Sequence, residues 1–146
     1  MFGAQRTHDI HTGIDFYCPE GSTVFAIEKG VVINVIPFTG IFAGSEWWNN
    51  TWAVLVKGDS GVILYGEVLP HISRDDRVAE GSPVGHIIPV LKKDKGNGTT
   101  MLHLELYRKG YKGWGEWWFT GQPQPEMLLN PDKIKCKAFK SILTNI

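Results

Sequence analysis

Apolar residues along the chain gather in short runs bounded by glycine, proline or charged side chains, and helical periodicity is weak throughout. Runs rich in β-branched and aromatic residues occupy positions 23–27, 31–36, 52–56, 62–65, 84–90 and 101–107. Their length and composition are those of strands. The Gly58-Asp59-Ser60-Gly61 tetrapeptide and Gly30 stand where hairpin turns are expected, because glycine adopts positive φ at little steric cost. The pattern predicts an all-β domain with antiparallel pairing. It leaves room for a turn near 125–129 and a short C-terminal helix from Pro131. With no repeat and no linker, residues 1–146 read as one domain, long enough to bury its own core.

Two stretches do not fit the strand pattern. Residues 38–51 contain Trp47 and Trp48, and residues 109–124 contain Trp114, Trp117 and Trp118. Loops of this length inside a compact domain usually carry function, so they are candidate walls of a groove. The tryptophans can equally serve packing, since aromatic residues bury large areas. Composition narrows the partners. Basic and acidic residues balance to a net charge of zero, so no global field favours nucleic acid or an anionic membrane surface. No run approaches the roughly 20 apolar residues of a membrane span, and the first residues show no basic segment followed by an apolar stretch, so no secretory signal is visible. Cys18 and Cys136 form no Cys-x-x-Cys pair; they are either a long-range disulfide or two inert thiols.

The candidate chemistry lies in two places. His11 and Asp15 are four residues apart in His11-Thr12-Gly13-Ile14-Asp15, and His103 lies in a predicted strand, facing away from Leu102 and Leu104. Two histidines and a carboxylate match a catalytic zinc site with an open fourth position. On spacing alone, unrelated surface and core side chains are the commoner explanation of such a triplet.

The surrounding residues change that balance. His11-Thr12-Gly13-Ile14-Asp15-Phe16 is followed by Pro19-Glu20-Gly21-Ser22-Thr23-Val24-Phe25-Ala26 and Lys29-Gly30-Val31-Val32. Further along come Val62-Ile63-Leu64-Tyr65, Val78-Ala79-Glu80-Gly81-Ser82-Pro83-Val84-Gly85, Leu102-His103-Leu104-Glu105-Leu106 and Leu128-Leu129-Asn130-Pro131. Over roughly residues 7–134 the chain resembles the lysostaphin or LytM-like peptidoglycan metalloendopeptidases, as a divergent member. The resemblance implies an antiparallel sheet of the duplicated hybrid motif type with long loops flanking a groove. It also implies Zn2+ held by His11, Asp15 and His103, and a cell-wall or extracellular site of action. Two family histidines are absent. The first histidine of the family's His-x-His is Met101, and the histidine of its Tyr-x-His is Glu67, in Tyr65-Gly66-Glu67.

Glu67 can act as general base, as glutamate does in other zinc peptidases, or be a surface residue of an inactive scaffold. Met101 reads as packing beside the metal pocket. His8, His71 and His86 are candidates to replace the lost histidines, although each alone reads better as a structural residue. Glu105 is either a hydrogen-bond acceptor for a ligand imidazole or an ordinary exposed strand residue. Trp47, Trp48, Trp117 and Trp118 are the candidate substrate contacts. Two functions follow. One is a zinc metallohydrolase that cleaves peptide bonds of peptidoglycan or a related peptide by zinc-activated water. The other is a catalytically inactive zinc-binding module that recognises cell-wall glycan, peptide or a protein partner.

Overall fold

The computed structural model describes residues 1–93, 98–113 and 115–144. Nine strands follow in chain order: β1 (Ile14–Tyr17), β2 (Thr23–Phe25), β3 (Gly30–Thr39), β4 (Thr51–Gly58), β5 (Gly61–Pro70), β6 (Arg77–Val78), β7 (Pro83–Ile87), β8 (Met101–Tyr107) and β9 (Leu128–Leu129). One α-helix, α1 (Lys137–Thr144), closes the chain after a 3-10 turn over Pro131–Lys133. The sheet order is β1-β8-β5-β4-β3-β6, with β7 joining β5 and β2, and β9 joining β8. Every pairing is antiparallel.

Alternation along β4 and β5 explains why these segments read as unbroken apolar runs. Val54, Val56, Ile63 and Tyr65 enter one cluster with Leu104, Leu106, Val32 and Ile87. Ala53, Leu55, Val62 and Leu64 enter a second with Tyr107, Tyr111 and Leu128. Central strands covered on both faces have no need of polar residues at every second position. Cys18 and Cys136 pack against the first cluster as free thiols. No helix among the described residues is long and apolar enough to cross a membrane.

The predicted turn at 58–61 is a two-residue hairpin loop between β4 and β5, in which Gly58 faces Gly61 at a φ of 131°. Gly30, by contrast, is not a turn. It begins β3 opposite Gly58 and Val78, where a Cβ would lie 2.3 Å from the Lys57 carbonyl oxygen. The residue is needed for close approach between strands, not for a positive φ. The stretch near 125–129, expected as a turn, ends in the two-residue β9.

β5 changes its neighbour partway along. Val62 to Gly66 pair with β8, whereas Val68 to Pro70 pair with β7. On the other side Trp52 faces Val68 and Ala53 faces Gly66, which leaves Glu67 as the extra residue of a β-bulge. Its φ is 65°, one of two positive values at non-glycine residues among those described. A bulge at the point where one edge strand replaces another re-aims a side chain out of the ladder, and this one borders the cleft.

Candidate metal centre

β1 lies beside β8 with Asp15 directly opposite His103. The loop before β1 can come this close because residue 13 is glycine: a Cβ there would lie 2.1 Å from the Leu104 carbonyl oxygen. His11 is placed from the other side by a short N-terminal hairpin, in which its amide donates to Ala4 and its carbonyl accepts from Gly3. Three side-chain atoms converge as a result. His11 Nε2 is 3.0 Å from Asp15 Oδ1, His103 Nδ1 is 2.7 Å from the same oxygen, and the two nitrogens are 3.3 Å apart.

The partners behind these atoms fix their chemistry. His103 Nε2 donates to Glu105 Oε1 at 2.8 Å; this fixes the ring so that Nδ1 is the atom turned toward Asp15 and the one a metal would take. His11 Nδ1 faces the Met1 carbonyl oxygen at 2.9 Å, nearer than the Met1 amino nitrogen at 3.4 Å. The carbonyl only accepts, so Nε2 of His11 presents a lone pair. Two imidazole nitrogens and a carboxylate oxygen thus face one another; the Nδ1 proton of His103 bridges to Asp15 here, and a cation can take its place. Tetrahedral zinc ligands at about 2.0–2.1 Å from the ion stand about 3.3 Å apart, so a small outward shift admits the ion. The donor set therefore fits zinc.

In the ion's place protons hold these groups together, and metal binding would release them. Burial works against the charge on His103, but the Asp15 and Glu105 carboxylates outweigh it and raise its pKa. Burial raises that of Asp15, yet hydrogen bonds to His103 and His11 hold it below the usual carboxylate range. Glu105 is buried and also lowered, because burial is overcome by His103, Thr12 and Tyr107. Thr12 Oγ1 donates to Glu105 Oε1 at 2.5 Å and the Tyr107 hydroxyl donates to Oε2. Of the two readings of Glu105, the structure matches the acceptor for a ligand imidazole.

A cleft of about 690 Å³ opens over the cluster. Glu67 and Met101 line it with the three clustered residues, and so do Trp48, Trp117 and Trp118. Burial pushes the Glu67 carboxyl up to about 7, with opposing smaller effects from His103, Asp15 and Arg6. Its carboxylate makes no hydrogen bond among the described residues. Trp47 stays outside the cleft, 63% exposed, in edge contact with Trp48 at 5.7 Å. Trp114 lies outside the described residues. His8, His71 and His86 do not line the cleft; His71 and His86 hydrogen-bond each other at 2.6 Å. The two long loops are anchored. Asn49 donates its amide to Val90, and the Ile10 amide donates to Trp118.

An antiparallel sheet carrying a buried His/Asp/His cluster under an open cleft is the architecture of a metallopeptidase domain. The sequence matches peptidase family M23 over residues 9–113, and the chain belongs to this family of metallopeptidases. Among solved structures it is similar to a mutant of the catalytic domain of the prophage-encoded M23 protein EnpA from Enterococcus faecalis. Identity is 24%, the alignment covers 90% of this chain and 85% of that one, and the TM-score is 0.58. At this identity the likeness carries the fold. No curated protein matches the chain.

Proposed function

We propose that the chain, as one domain over residues 1–146, is a zinc-dependent endopeptidase that hydrolyses peptide bonds of peptidoglycan or a related peptide. The carrying observation is the convergence of His11 Nε2, Asp15 Oδ1 and His103 Nδ1 as three lone-pair donors at the floor of an open cleft. Zinc in such a site polarises a carbonyl and makes water acidic enough to attack near neutral pH. The chain's own groups do the rest. Glu67 accepts the proton of the attacking water as the oxygen bonds to the carbonyl carbon, then returns it to the amide nitrogen as the C–N bond breaks. Trp48, Trp117 and Trp118 flank the extended peptide, and Met101 shapes the pocket without a proton to offer.

Met101 and Glu67, at positions where the resembled family has histidine, favour a second reading: a zinc-binding module that recognises cell-wall glycan, peptide or a protein partner without cutting it. One preparation separates the two. Metal analysis is expected to find about one zinc per chain, and His103→Ala to lose most of it. Mass spectrometry of incubated peptidoglycan fragments should then reveal new amino termini. Zinc with fragment binding but no cleavage would establish the module, and a protein without zinc would remove both readings.

A further inference from the structure

The cleft holds five carboxylates besides any substrate charge: Asp9, Asp15, Glu67, Glu105 and Glu116. Its histidines, His11 and His103, are both committed to the metal cluster. Among the described residues a single lysine or arginine lines it, Arg6. A terminal guanidinium nitrogen of Arg6 lies 3.7 Å from Asp15 Oδ2, the oxygen turned away from the two imidazoles. That distance is an ion-pair contact but too long for a hydrogen bond. Among the described residues the guanidinium donates no hydrogen bond; the side chain is 54% exposed, and its ion pair with Asp15 places the charge beside the site with its N–H groups uncommitted. The charge also reaches Glu67, whose proton affinity it lowers.

The backbone explains the placement. Gln5 bridges Ile10, and the Arg6 amide donates to the Asp9 carbonyl at 2.8 Å, closing a tight hairpin that ends in His11. This hairpin also delivers the Met1 carbonyl to His11. The M23 match begins at residue 9, so Arg6 belongs to a segment outside the matched region. It stands at a site where both customary histidines are replaced by residues that carry no positive charge.

We infer that Arg6 is a further catalytic residue, donating to the scissile carbonyl oxygen as that oxygen becomes negative. The inference rests on the endopeptidase reading. When water adds to the carbonyl carbon, the π pair moves to oxygen, and Glu67 holds the water's proton. With Glu67 protonated, the oxyanion still forms beside four carboxylates, and a guanidinium with uncommitted N–H groups adds a cationic donor to whatever the metal supplies. The oxygen then re-forms the carbonyl as the C–N bond breaks, and Arg6 returns to its contact with Asp15.

Arg6→Ala and Arg6→Lys test this in the full chain, because the hairpin is closed by backbone bonds that either variant keeps. Zinc content and melting temperature should match the unaltered protein. Cleavage of a peptidoglycan peptide should lose about 10²–10³-fold in kcat with little change in KM, and lysine should restore part of it. A phosphinic analogue of the same peptide, tetrahedral and anionic at the scissile position, should bind Arg6→Ala on the order of 10²-fold more weakly, while the uncleaved peptide binds as before. Unchanged kcat in Arg6→Ala, an equal loss of affinity for peptide and analogue, or loss of zinc would each overturn the assignment. A zinc-loaded unaltered protein that cuts no peptide overturns the endopeptidase reading itself, and the role of Arg6 with it; failure in the variant alone overturns only Arg6.

Discussion

Glu67 occupies a left-handed backbone conformation at a φ of 65°, which costs a residue bearing a Cβ about 1–2 kcal/mol. Nothing in the packing requires glutamate there, since its carboxylate finds no partner among the described residues. Glycine would relieve the strain, although its greater freedom in the unfolded chain takes back about 0.5–1 kcal/mol. Glu67→Gly is therefore expected to melt no lower than the unaltered protein while losing activity. Glu67→Gln should keep zinc and lose roughly two to four orders of magnitude in rate, because it preserves size but cannot take the proton. Full activity in Glu67→Gln would reject the base assignment; a fall in the melting temperature of Glu67→Gly would show the side chain to be structural. Glu67 was readable as a candidate from its place after Tyr65, but its bulge was not, because a bulge depends on which strands lie on either side. Arg6 had no signal at all. It reaches the cleft only through the hairpin from Gly3 to His11, whose closing bonds are backbone to backbone.

The strands that carry apolar runs were legible, down to the three residues of β2, and those without such a run were not. Met101–Tyr107 coincides with its predicted bounds, whereas β1, β6 and β9 are four, two and two residues long and exist only because a neighbour pairs with them. β1 matters most, since it sets Asp15 opposite His103. Its approach depends on Gly13, so Gly13→Ala, with a Cβ 2.1 Å from a backbone oxygen, must push the segment off β8. A loss of about 2–3 kcal/mol of stability and most of the zinc is expected from denaturant titration and metal analysis; a normal zinc content would show that the ligands tolerate the shift. The aromatic loops divide in the same physical terms. Trp118 packs on the second core cluster, against Phe2 at 5.8 Å, and its indole N–H is bonded to Gln122. Trp117 is 66% exposed at the cleft and stacks only on Phe119. Trp118→Ala should lower the melting temperature, with a loss of stability of at most the about 3–5 kcal/mol of a large aromatic truncation. Trp117→Ala should leave it unchanged and weaken binding of cell-wall fragments. The opposite pattern would move Trp117 to packing and Trp118 to recognition.

At the scale of the whole molecule, the two apolar clusters lie on opposite faces of one sheet, and the candidate metal centre lies at the β1/β8 end of it. Both clusters are closed by apolar side chains of the central strands, which need no ion to pack. The fold is therefore expected to stand without metal, and zinc to act by mass action on a folded chain. Zinc binding nonetheless displaces the proton shared between His103 and Asp15 and ties both loops to one ion, so the folded chain gains from the metal. Free zinc at about a thousand times its dissociation constant adds about 4 kcal/mol to folding, a rise in melting temperature of roughly 10 °C for a chain of this size. Chelation should reverse that rise while leaving the far-ultraviolet circular dichroism of the sheet intact. His103→Ala should melt at the same temperature with and without zinc. Loss of the sheet signal on chelation would mean that the metal holds the fold together, and an unaltered protein whose melting ignores zinc would remove the metal from the site.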